Sequence, residues 1–163
     1  MKIIVKEISK GLDDNNWFKE ITNSLQGLDC KKYVEGLINF SQKKQKRKVA
    51  KLQNFILKIL EEQFVDFQWQ TEFKVSEKRD AIDIYGKREN DILIIELDKW
   101  RADQVAKKLI SRTALLKENN IGFVSLCYAG TPSMNKSECL KYFQYGNIVL
   151  TELNNYYAGM IIE

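Results

Sequence analysis

Polar and apolar positions along the chain fall into two alternating periods. Residues 2–8 fit a short strand. Capping residues at Leu12-Asp13-Asp14-Asn15 then precede Trp17, Phe18, Ile21 and Leu25, which recur at helical spacing, and Gly27 closes that helix. A second short helix is predicted from Asp29 to Phe40, with Tyr33, Leu37 and Phe40 on its apolar side. A long helix runs on to about Gln63, with Val49, Leu52, Ile56, Ile59 and Leu60 in one stripe and Gln53 inside the apolar arc.

From Phe67 to Val75 the period changes to strict alternation, the mark of a half-buried strand. A strand through Asp83 follows Ser76–Arg79. Lys87–Asn90 supplies a polar hairpin turn, and Asp91–Asp98 is nearly continuous in apolar residues, as a strand covered on both faces should be. A helix over 101–117, a buried strand at Gly122–Tyr128, a helix capped by Ser133 and reaching Tyr145, and strands at Ile148–Leu150 and Tyr156–Ile162 complete the order. The fold class is α/β, layered, with a mixed central sheet. Residues 1–42 read as an N-terminal helical appendage and 43–163 as the core, within one globular unit.

Composition narrows the chemistry. Of 163 residues, 44% are hydrophobic and 29% charged, with one Pro, as in an ordinary globular domain. Histidine is absent, which excludes His-based triads and imidazole metal ligands. Cys30, Cys127 and Cys139 show no CxxC pairing, so reduced thiols in a cytoplasmic setting are expected. The first residues are too often charged for a signal peptide, and no stretch approaches the roughly 18 apolar residues of a membrane span. Net charge is +4, but six basic residues crowd into 43–51: Lys43, Lys44, Lys46, Arg47, Lys48 and Lys51. That run fits either a solvated helix face or a footprint for phosphate backbones.

The candidate chemistry lies in residues 80–112. Residues two apart on a strand share a face, so Glu96 and Asp98 project together while Ile95 and Leu97 point away. If the Asp83 strand pairs with theirs, three carboxylates converge on one patch. Such a cluster is costly unless a cation offsets it, and a hard divalent ion such as Mg²⁺, with Mn²⁺ a second option, suits oxygen ligands. On the following helix Arg101, Gln104, Lys108 and Arg112 fall on one flank beside Val105 and Leu109. Carboxylates beside a cationic flank are what phosphodiester hydrolysis calls for. The same residues also fit a structural ion-pair cluster, and the spacing supports both readings equally. Trp69, Tyr85, Trp100 and Tyr128 fit base stacking or, more in keeping with predicted strands, the core.

Residues 45–151 resemble the PD-(D/E)xK nuclease superfamily, which includes restriction endonucleases, Holliday-junction resolvases and RecB-type nucleases. The resemblance rests on Asp83 in Ala-Ile-Asp-Ile-Tyr-Gly, on Glu96 in Ile-Ile-Glu-Leu-Asp, and on an order of helix, three-stranded meander, helix, strand. It implies a restriction-endonuclease-like core that cleaves nucleic acid, DNA first, with Mg²⁺ held by Asp83, Glu96 and Asp98. Asp98 stands where the motif has lysine. The resemblance then makes Lys108 the migrated lysine, with Lys107 second and Arg101 a further cation. Gln53, or alternatively Glu62, takes the place of the first-helix glutamate. Lys43, Lys44, Lys46, Arg47, Lys48, Arg101, Gln104 and Arg112 would bind the nucleic acid. One acidic site cuts one strand, so cleavage of both strands would call for a homodimer. The departures from the motif also admit an inactive nucleic-acid-binding module, and the ion-pair reading an assembly protein.

Overall fold

The structure, a computed structural model, describes residues 1–74, 81–116, 120–131 and 134–163. In chain order the elements are β1 (Ile3–Ile8), α1 (Trp17–Leu25), α2 (Lys31–Val34), a 3₁₀ turn (Leu37–Asn39), α3 (Gln42–Gln63), β2 (Gln68–Phe73), β3 (Ile82–Arg88), β4 (Asp91–Lys99), α4 (Ala102–Leu115), β5 (Asn120–Tyr128), α5 (Lys136–Glu152) and β6 (Tyr156–Ile162). The six strands form one open sheet in the order β1-β6-β5-β4-β3-β2. β2, β3 and β4 make an antiparallel meander; β4, β5 and β6 run parallel; β1 closes the far edge antiparallel to β6. The class is therefore α/β with a mixed sheet.

Helices cover both faces. On one, Phe18, Ile21 and Leu25 of α1 and Leu52, Ile56 and Leu60 of α3 pack on Leu93, Ile95, Leu97, Val124, Leu126 and Met160. On the other, Val105 and Leu109 of α4 and Phe143 and Leu150 of α5 pack on Ile92, Ile94, Phe123, Tyr157 and Ile161. Burial on both faces explains the near-continuous apolar text of β4 and β5. The alternation along β4 puts Glu96 and Asp98 on the α4 side, as their spacing predicts.

Three expectations change. Residues 1–42 are not a helical appendage, because β1 is a strand of the sheet and α1 lies in the core. The helix predicted over 29–40 breaks into α2 and the 3₁₀ turn at Gly36, which has φ +65°. Ile148–Leu150 is no strand but the last turns of α5, whose first N–H groups are capped by Asn135 accepting from Glu138 N. Ser133, expected to cap that helix, and Ser76–Arg79 lie outside the described residues. No helix among those described is long and apolar enough to cross a membrane.

Candidate active site

The β3–β4 ladder extends to the pair Ile84↔Ile95 and gives way there to a side-chain bond. The Leu97 N–H donates to Asp83 Oδ2 at 2.7 Å, so a carboxylate takes the place of a backbone partner. This is the structural reason Asp83 meets Glu96 and Asp98. The three acids are gathered on one ammonium. Lys108 Nζ lies 3.2 Å from Asp83 Oδ2, 2.8 Å from Glu96 Oε2 and 3.0 Å from Asp98 Oδ1. The contact with Glu96 Oε2 is an ion pair without hydrogen-bond alignment.

Burial grades the acids. The Glu96 side chain is 1% exposed, whereas that of Asp83 is 22% exposed. Burial pushes the Glu96 carboxyl up to about 8, with Lys108 pulling it back and Asp83 adding to the rise. Burial also raises Asp98, again against Lys108. For Lys108 burial acts to lower the pKa, but the three carboxylates outweigh it and hold the ammonium well above its ordinary value.

Arg112 lies deeper than its sequence role implies. It is 3% exposed, donates from Nε to Glu96 Oε1 at 2.7 Å and from a guanidinium N–H to Ala81 O at 2.9 Å. The expectation that it meets phosphates is overturned: it is a buried buttress for Glu96.

A cleft of about 650 Å³ opens over Asp83 and Asp98, between the first half of α3 and the start of α4. Lys46, Gln53, Glu72, Lys99, Arg101 and Gln104 contribute to its walls, while Glu96 and Lys108 lie behind them. Gln53 donates from Nε2 to Asp83 O and, at 3.0 Å, to Glu72 Oε1, so a polar residue in an apolar helical arc is there to fix the site's edge. Arg101 and Gln104 both donate to Asp103, at 2.6 and 2.9 Å. Of the basic run, Lys46 alone lines this cleft; Lys43, Lys44, Arg47, Lys48 and Lys51 line a neighbouring groove with Ser41. Lys107 is exposed, and Glu62 faces solvent beside Lys58 at 3.7 Å, away from the acids. Tyr85 stacks on Phe73 in the core, and Trp69 stacks on Phe67.

Glu72 escaped sequence reasoning. It reads as the solvent-facing position of an alternating strand, yet it lines the cleft with φ +51°, a left-handed conformation uncommon for a side chain of its size. Tertiary placement of Gln53 beside it is what marks it, and nothing in the local text does.

Neither a family model nor a curated protein matches the chain. Assignment therefore rests on the geometry. Its oxygen donors suit a hard cation. Among the described residues, however, no group of three or more acidic or thiol side chains is arranged to hold a metal, because Lys108 Nζ occupies the point on which the three carboxylates converge.

Proposed function

We propose that this chain is a metal-dependent nuclease of the PD-(D/E)xK kind, hydrolysing phosphodiester bonds in DNA. The observation that carries the reading is the convergence of Asp83, Glu96, Asp98 and Lys108 at a cleft whose lining includes Lys46, Lys99 and Arg101. The order α3, β2-β3-β4, α4, β5 supports a restriction-endonuclease-like core. Asp83 and Asp98, which line the cleft, would hold Mg²⁺ or Mn²⁺ once Lys108 Nζ gives up the point on which the carboxylates converge, with Glu96 behind them. The chemistry a metal would supply there is Lewis acidity, toward a water and toward the anionic phosphorus centre. Lys108 gathers the carboxylates and fixes their orientation; Arg112 anchors Glu96; Lys46, Lys99 and Arg101 offer positive charge to the phosphates on either side.

A nicking assay on supercoiled plasmid with Mg²⁺ or Mn²⁺ tests this. Asp83→Ala is expected to lower nicking by at least about a hundredfold, and Lys108→Met to do likewise, while both variants melt cooperatively. Wild-type activity in both folded variants would refute the assignment. One observation favours a second reading. The Lys108 ammonium already compensates the acids, as a nucleic-acid-binding module without catalysis would need, and DNA binding with no metal-dependent nicking is its signature.

A further inference from the structure

The outward face of α5 carries an apolar stripe. Tyr145, Ile148 and Val149 are 47%, 60% and 45% exposed, while the opposite face (Cys139, Phe143, Gly146 and Leu150) is buried against the sheet. Gly146 fixes this orientation, because a Cβ there would lie 2.8 Å from the Tyr157 ring. At about 100° per residue, Lys141, Tyr145, Ile148 and Glu152 fall on one line along the helix. The line is bounded by opposite charges, Lys141 toward its N-terminal end and Glu152 toward its C-terminal end. Both are exposed, and neither has an ion-pair partner among the described residues.

That pattern is self-complementary in one orientation. Pairing α5 antiparallel with an identical helix, about a two-fold axis midway along the stripe, sets Lys141 opposite Glu152 and Tyr145 opposite Ile148, twice over. The two helix dipoles then oppose, which is the favourable arrangement. A parallel pairing would set Lys141 on Lys141 and Glu152 on Glu152. We infer that α5 is a homodimer surface, with a second copy of this chain seated antiparallel along the stripe of Tyr145 and Ile148. None of the cleft-lining residues belongs to α5, so both clefts stay open in the pair. A contact built on one 17-residue helix per copy is small for a specific interface, so the dimer is of the reversible, concentration-dependent kind.

Sedimentation velocity on the intact chain, over roughly 1 to 500 μM to span such affinities, tests the inference. The wild type is expected to move from monomer toward twice the chain mass. Ile148→Asp should weaken dimerisation at least about tenfold, the cost of placing a charge against an apolar partner. Lys141→Glu should weaken it by opposing two like-charged pairs. The double variant Lys141→Glu/Glu152→Lys should restore it, which a merely structural role for either residue would not produce. All three changes are on the surface, so unchanged melting temperatures are expected and provide the control. A monomer throughout the range, a dimer indifferent to Ile148→Asp, or a double variant no better than Lys141→Glu would each overturn the proposal.

Discussion

Lys108 is the residue on which the site turns. One ammonium shared by three acids offsets part of the cost of ionising them together, and removing it raises that cost. Glu96 bears most of that cost, being the most buried of the three, and its carboxyl is raised from 4.5 to about 8. A carboxyl raised on folding binds its proton more tightly in the folded chain. Its contribution to stability is complete below the unfolded value near 4.5 and is lost as the pH climbs through about 8. In metal-free protein, Glu96→Gln keeps the side chain's shape and an acceptor for Arg112 but cannot ionise. The difference in melting temperature between variant and wild type should therefore shift in the variant's favour as the pH rises across that window. Parallel curves for the two proteins would mean that Glu96 is ionised throughout.

At the scale of elements, Phe18 shows why the first 42 residues belong to the fold. Its ring covers β5 at Gly122, where a Cβ would come within 2.4 Å of the ring, and it stacks on Tyr156 at 5.7 Å. Phe18→Ala should cost about 3 kcal/mol as a buried aromatic truncation, and Gly122→Ala about 1–3 kcal/mol as overpacking. Urea unfolding would read both as shifts in the single main transition; an unmoved midpoint in Phe18→Ala would return α1 to the status of an appendage. The sequence misled here because α1 shows only its own amphipathic stripe, not the glycine on another strand that receives it. Periodicity located α3, β2 and α4, where the repeats are clearest. It failed at Ile148-Val149-Leu150, three apolar residues that fit either period. The core face of α5 contains Cys139 and Gly146, which carry little hydrophobic signal, while Ile148 and Val149 are exposed. The acids, Lys108 and Gln53 were legible from spacing and resemblance. Arg112 was misplaced because strand-end geometry, not helical phase, determines how deep a flank residue lies. Glu72 left no trace in the text at all.

At the scale of the molecule, charge is sorted by depth and by side. The carboxylates sit at the end of the sheet with their cations beneath them, while the basic first half of α3 forms one wall of the cleft and the lining of the groove beside it. Lys44 and Lys48 lie over the Phe40 ring at 3.8 and 5.2 Å, so part of the run is steered by local packing. Lys43, Lys46 and Arg47 carry no ion pair among the described residues, so under the proposed DNA-binding reading they would be the better phosphate partners. Each phosphate neutralised releases about 0.7–0.9 counterion, so a footprint of four to six contacts predicts log affinity falling with log salt at a slope of roughly −3 to −5. Changing Lys43, Lys46 and Arg47 together to Gln should flatten that slope by about 2 to 3 and weaken binding uniformly across DNA sequences. Fluorescence anisotropy of a labelled duplex in stepped KCl, without divalent metal, would measure both quantities. An unchanged slope would make the run of α3 a solvated helix face and shift the search for the DNA path to Lys99 and Arg101 on the opposite wall.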